Sequence, residues 1–195
     1  LDLCYDNNNL IEIILIDFKE KANIIEFKKR CRDLFKLDKH SLHIPDNYEQ
    51  TFRISSTLLN KNSIHFLKYA KNNLSEKSKK LFLAYFDKFN YKNSEDICIT
   101  SSIILEMYGL REAKDIDYIE KDNKDIKLKM YGCHKGKWFN YYKINKENIL
   151  YNPENHFYFN GLKFVSLNVI KKMKTNRNEK KDIKDLELIN KIKNV

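Results

Sequence analysis

The chain has 195 residues, 42% hydrophobic and 33% charged, with only 4 Gly and 2 Pro. That composition excludes a disordered chain and collagen-like or turn-rich all-β designs, and no apolar run reaches the roughly 18 residues that a membrane span needs. Lys and Arg total 37 against 27 Asp and Glu, a net charge of +10, which fits either an A/T-rich codon bias toward Lys, Asn and Ile or a phosphate-rich partner.

Residues 10–18, rich in Ile, predict a strand. Residues 24–35 carry apolar side chains at 24, 27, 31 and 34–35, a helical spacing, with Lys28, Lys29, Arg30 and Arg32 on the other sides. Residues 40–44 predict a short strand. Asp46 and Glu49 stand in the N-cap and N3 relation of a capping box and open a helix through about residue 59. Two more helices are expected over 63–72 and 75–89. The polar stretch 91–96 reads as a hinge, dividing an N-terminal helix-rich α/β lobe (1–92) from a second domain (93–195).

Beyond that hinge, 97–100 predicts a strand, 103–108 a helical turn or two ended by Gly109, and 115–119 a strand with alternating faces. A polar turn at 121–125, a further strand at 126–130, a loop at 132–137 and an aromatic-rich stretch at 138–144 follow. Residues 156–165 read as two strands joined at Asn160-Gly161, a hairpin dipeptide. Ser166 caps a helix through about 175. Asp182 starts the last helix, with Ile183, Leu186, Ile189 and Ile192 at three-residue steps. The expected class is α+β: a mixed β-sheet flanked by helices, preceded by the smaller lobe.

Cys4, Cys31, Cys98 and Cys133 form no CxxC, so a zinc ribbon is not expected. Cys31 and Cys98 sit in apolar patterns and read as buried thiols, which fits a reducing cytoplasm. No signal peptide is read. The chain begins at Leu1 rather than Met and is expected to be a piece of something longer. Its five Arg (30, 32, 53, 111, 177) are few for a base reader, so nucleic acid is not the expected partner.

The stretch from Ile99 to Tyr118 carries the chemistry. A strand ends in two hydroxyl residues, Ser101 and Ser102, where a short helix opens with free backbone N–H groups, a seat for phosphate. After Gly109 the chain returns into a strand bearing Asp115-x-Asp117, and period-2 geometry puts both carboxylates on one face. Two carboxylates so close repel unless a cation lies between them, and Mg²⁺ shared with substrate phosphates is the natural occupant. The same residues allow plainer roles: Asp115 and Asp117 as solvated strand acids, Ser102 as an N-cap, Arg111 as a salt-bridge partner of Asp117, and Lys181-Asp182 as a cap with its dipole partner.

This arrangement resembles the nucleotidyltransferase superfamily typified by DNA polymerase β, whose signature is a hydrophobic residue, Gly, then Gly or Ser, a gap of about a dozen residues, and Asp-hydrophobic-Asp/Glu. Here Ser101-Ser102 takes the Gly-Ser place and 12 residues (103–114) precede Asp115. Downstream, Asn160-Gly161-Leu-Lys-Phe-Val-Ser166-Leu, then Lys171 to Lys174, Arg177 and Lys181-Asp182-x-x-Asp185, look like the tail of minimal domains of that superfamily. The resemblance spans about 96–193. It implies Asp115 and Asp117 as metal-holding catalytic residues, and Ser101, Ser102, Arg111, Lys174, Arg177 and Lys181 as nucleotide-binding residues. Two departures are plain: Ser101 replaces a Gly, and no third carboxylate stands on the 157–159 strand, where Glu154 and Asp125 are the nearest substitutes.

Residues 152–157 (Asn-Pro-Glu-Asn-His-Phe), ahead of Gly161-Leu-Lys-Phe-Val-Ser-Leu, resemble domains attached to bacterial capsule and surface-glycan glycosyltransferases. The implied activity is Mg²⁺-dependent transfer from ATP or another NTP to a small or carbohydrate acceptor in capsular polysaccharide synthesis, with a fused glycosyltransferase domain as a further expectation. The alternatives are an ATP-dependent ligase that forms an amide on a sugar carboxylate, and a nucleotide-binding module without catalysis.

Overall fold

A computed structural model describes residues 13–17, 23–36, 43–71, 74–88, 95–122 and 131–193. Among these, the chain forms an α+β structure with a mixed five-stranded sheet. The chain divides into two compact units, 1–52 and 53–195. No helix among the described residues is long and apolar enough to cross a membrane.

The first unit contains helix α1 (Ile24–Phe35), which has the limits its spacing predicts. Asn23 caps it by accepting from the Glu26 N–H at 3.1 Å, and Lys36 closes it in the left-handed conformation. The strand expected over 10–18 is not seen in its described part: residues 13–17 are irregular and exposed, with Ile14 and Leu15 70% and 71% accessible. An Ile-rich run pairs only if a neighbouring edge accepts it. Residues 43 and 44 of the second expected strand are also irregular; the remainder of both strands lies outside the described residues.

Helix α2 (Tyr48–Leu58) begins one cap later than expected. The Gln50 N–H donates to Asn47 Oδ1 at 3.0 Å, and Gln50 Oε1 accepts from the Asp46 N–H at 2.9 Å. Asp46 is drawn off as a cap because its carboxylate pairs with Lys28. The Asp46/Glu49 capping box is therefore replaced by an Asn47/Gln50 pair.

In the second unit, α3 (Lys61–Tyr69) and α4 (Glu76–Lys88) precede β1 (Ile97–Thr100), α5 (Ser102–Met107), β2 (Ile116–Glu120) and β3 (Tyr131–Cys133). Then come α6 (Lys137–Asn140), α7 (Lys146–Tyr151), the hairpin β4 (His156–Phe159) and β5 (Leu162–Val165), α8 (Leu167–Arg177) and α9 (Lys180–Ile189). The sheet order is β3-β2-β1-β5-β4; β1 is antiparallel to β2 and parallel to β5, and β2 is parallel to β3. The hairpin turns at Asn160 and Gly161 with φ of 49° and 75°, as a type I′ turn requires. Ser166 caps α8 as expected. The loop expected at 132–137 is instead strand β3 over its first residues, while the strand expected at 126–130 lies outside the described residues.

Compactness does not divide the chain at the hinge expected near residue 92. Helices α3 and α4 belong with the sheet. Phe66 of α3 stacks on Phe157 of β4 with centroids 4.7 Å apart and meets Tyr108 edge-on at 5.2 Å. Asn60 and Asn62 donate to the 153–156 backbone. At α4, buried Glu106 of α5 accepts from the Ser75 N–H at 2.8 Å, the Ser78 hydroxyl at 2.8 Å and the Ala113 N–H at 2.6 Å. Burial opposes ionisation of Glu106, but these donors hold its carboxyl below the usual range. One carboxylate thus ties the start of α4 to the return loop ahead of β2. A buried aromatic face and a buried acid, both long-range, outweigh a local run of polar residues.

Candidate nucleotide and metal site

The site begins where β1 ends. All four residues of β1 are buried, as are five of the six in α5, so both sides of the connection are fixed by the core. The chain turns between them at Ser101 with φ 70° and ψ −139°, a conformation that residues with a Cβ rarely adopt. Ser101 is the N-cap residue of α5, but its hydroxyl makes no capping bond. The Ser101 hydroxyl favours the charged form of Asp117, and the Ser102 hydroxyl that of Asp115. With six residues, α5 is too short for a large dipole; the turn and its two hydroxyls are the notable feature.

Strand register explains the gathering. Thr100 is the antiparallel partner of Asp117, so the residues just beyond Thr100 lie beside those just before Asp117. On the other edge of β2, Gly132 is the partner of Asp117. A Cβ at 132 would stand 2.6 Å from Asp117 Oδ1, so the carboxylate occupies space that only glycine leaves.

His134 follows β3 and places Nε2 3.4 Å from Asp117 Oδ2. Its Nδ1 lies 2.8 Å from the Tyr142 hydroxyl, which lies 2.7 Å from Thr100 Oγ1. His134, Tyr142 and Thr100 form one hydrogen-bonded chain around the end of β1, with Asp117 3.4 Å beyond the His134 ring. The sequence analysis did not find His134, Tyr142 or Gly132. The readable signal was Gly132 itself, since a Gly ahead of a polar residue after a strand pattern marks a close backbone approach.

The two carboxylates have opposite acidities. Burial opposes ionisation of Asp117, but His134, Ser101 and the charge of Arg177 outweigh it and hold the carboxyl below its ordinary value. Burial, then the neighbouring Asp117 charge, push Asp115 upward against the pull of Lys77, Ser102 and His134. Both acids are partly buried, mutually repelling and flanked by hydroxyls. That donor set suits a hard divalent cation such as Mg²⁺, which is held by one or two carboxylates and completes its shell with water and phosphate oxygens. Among the described residues no three His, Cys, Asp or Glu come together as a metal cage.

The other expected site residues divide. Arg111 forms a bidentate pair with Asp185, Nε to Oδ1 at 2.5 Å and Nη2 to Oδ2 at 2.8 Å, rather than pairing with Asp117. Lys174 Nζ is buried between Asp182 Oδ1 at 3.3 Å and Asp185 Oδ2 at 2.7 Å, with a side chain 2% exposed. Its expected place facing a triphosphate is therefore corrected: the charge is enclosed by two acids of α9. Arg177 forks onto Asp182 at 2.8 and 2.6 Å while its field still reaches Asp117. Lys181 is 61% exposed and pairs with Glu179 at 3.1 Å. Of the substitutes for a third acid, Glu154 pairs with Lys61 at 2.7 Å, and Asp125 lies outside the described residues. Beside Asp117 lie Gly132 of β3 and, just after that strand, His134, and neither is an acid.

Searches of protein-family profiles, of curated proteins and of solved structures return no match.

Proposed function

We propose that residues 53–195 form a nucleotidyltransferase-like domain that binds a nucleoside triphosphate with Mg²⁺ and serves transfer to a small or carbohydrate acceptor in surface-polysaccharide assembly. One observation supports the reading: strand register sets the strained Ser101–Ser102 turn, just beyond Thr100, beside the two acids 115 and 117. In this reading the two acids hold the cation, whose chemistry is to neutralise charge on the phosphates. Ser101 and Ser102 line the phosphate side. Arg177, anchored by Asp182, adds a fixed positive field beside them. His134 favours the charged form of Asp117, and a bound cation would offset the burial and the Asp117 charge that oppose ionisation of Asp115.

The acceptor and its chemistry come from the resemblance of the 152–167 stretch to glycan-associated domains, and the cytoplasm is the compartment that supplies the nucleotide. A second reading, nucleotide binding without transfer, is favoured by the lack of an acid on the 157–159 strand and by the pairing of Glu154 with Lys61. Calorimetry of Mg-ATP against the wild type, Asp115→Asn and Asp117→Asn tests the site; equal binding by all three overturns both readings. Product analysis then separates them: released pyrophosphate marks nucleotidyl transfer, ADP with free phosphate marks amide ligation, ADP with a phosphorylated acceptor marks phosphorylation, and intact ATP with retained binding marks the module.

A further inference from the structure

A cleft of about 520 Å³ lies between α8 and the segment that follows α6. Along α8, Asn168, Lys171, Lys172 and Thr175 line it. Their spacing of i, i+3, i+4 and i+7 makes one continuous polar stripe. Lys143 approaches from the opposite wall, its backbone in the left-handed conformation at φ 55°. The lining therefore holds three lysines and no acid. Among the described residues, Lys143 and Lys172 have no carboxylate partner, unlike Lys174 on the buried side of the same helix.

The cleft shares a wall with the carboxylate site. Tyr142 lines it, and the same residue's hydroxyl bonds Thr100 and His134, the latter in contact with Asp117. Asn176 is anchored beside it, donating to the Tyr141 carbonyl at 2.9 Å. The lining thus combines cations for an oxyanion with amide and hydroxyl groups that exchange hydrogen bonds with a polyol. A nucleic-acid strand would need a long basic track with stacking aromatics, and this is a short, open cluster of three lysines.

We propose that this cleft is the acceptor subsite and that it takes an anionic sugar, whose carboxylate or phosphate is held by Lys143, Lys171 and Lys172 while its hydroxyls meet Asn168 and Thr175. Its role as acceptor subsite rests on the function proposed above; its preference for an anionic sugar does not.

The test is a calorimetric titration of the full chain with glucuronic acid, glucose 1-phosphate, glucose and inorganic phosphate, with Mg-ATP titrated in parallel. The wild type is expected to bind one or both anionic sugars more tightly than glucose and more tightly than inorganic phosphate; which of the two is preferred tells carboxylate from phosphate recognition. The double variant Lys143→Glu/Lys172→Glu changes two exposed side chains and is expected to weaken the anionic sugar by about tenfold or more while Mg-ATP binds as before. Unchanged sugar binding in that variant, equal binding of glucose, equal binding of inorganic phosphate, or no binding of either anionic sugar overturns the proposal. Loss of Mg-ATP binding in Asp115→Asn tests the nucleotide reading separately, so each can fail while the other stands.

Discussion

Gly132 and Asp117 are paired across β3 and β2, and the carboxylate of one fills the space where a side chain of the other would begin, 2.6 Å from an added Cβ. The position needs glycine for close approach. Gly132→Ala must displace Asp117 or part the two strands. We expect it to lower stability by about 1–3 kcal/mol, as overpacking does, and to weaken Mg-ATP by about tenfold or more through the displaced carboxylate. Thermal unfolding and calorimetry on one preparation check both.

Ser101 tests strain against contact. Its φ of 70° favours glycine, so Ser101→Gly is expected to stabilise the fold by about 1 kcal/mol by relieving strain. Ser101→Ala keeps the strain and removes a hydroxyl that favours the charged form of Asp117, and is expected to be less stable than wild type. Urea denaturation of the three proteins orders them; the reverse order of Gly and Ala would contradict the strained turn.

The α8–α9 ion cluster separates buried from exposed charge. Lys174→Met leaves Asp182 and Asp185 short of a buried partner and is expected to cost about 3–5 kcal/mol. Lys181→Ala removes an exposed pair with Glu179 and is expected to cost less than about 1 kcal/mol. Differential scanning calorimetry should show a large fall in Tm for the first and almost none for the second.

Acid sensitivity follows from the same cluster. Burial opposes ionisation of Asp182, but Arg177, the Glu179 N–H and Lys174 outweigh it and hold the carboxyl at about 2, below its ordinary 3.8. Asp185 and Asp117 shift in the same direction. A carboxyl depressed in the fold contributes stability that is full above its unfolded pKa and is lost as pH falls through the folded one. The urea midpoint should therefore stay level from pH 7 to about 5 and drop between about 4 and 2.

Asp115 runs the other way. Its carboxyl is raised by burial and by Asp117, so its contribution is full below the unfolded pKa and lost as pH rises through the folded value. At neutral pH the ionised group is a net cost. Asp115→Asn is expected to raise Tm at pH 7, by a margin that vanishes near pH 3, while abolishing Mg-ATP binding. A Tm below wild type at pH 7 would show that the acid supports the fold rather than a ligand.

Local signals were legible in the residues. Helix α1 has its predicted limits because its periodicity and cap lie within one element, and the Asn160-Gly161 hairpin and the Ser166 cap were readable for the same reason. The strand expected over 115–119 begins instead at Ile116, so alternation places Asp117 while Asp115 stands just ahead of the strand, and it is the register of Thr100 with Asp117 that sets both beside the 101–102 turn.

Tertiary structure alone decided which charges are available. Arg111, Lys174, Arg177 and Lys181 are equivalent cations in sequence, yet burial gives the first three carboxylate partners from α9 and leaves Lys181 largely in water. His134, Tyr142 and Gly132 joined Asp117 only through the β2–β3 register and the loop beyond it. Helices α3 and α4 were assigned to the sheet by Phe66 and Glu106. Backbone propensity and capping act over a few residues and are written in the chain's order. The partner of a charge is set by desolvation and distance, which exist only once remote segments have packed.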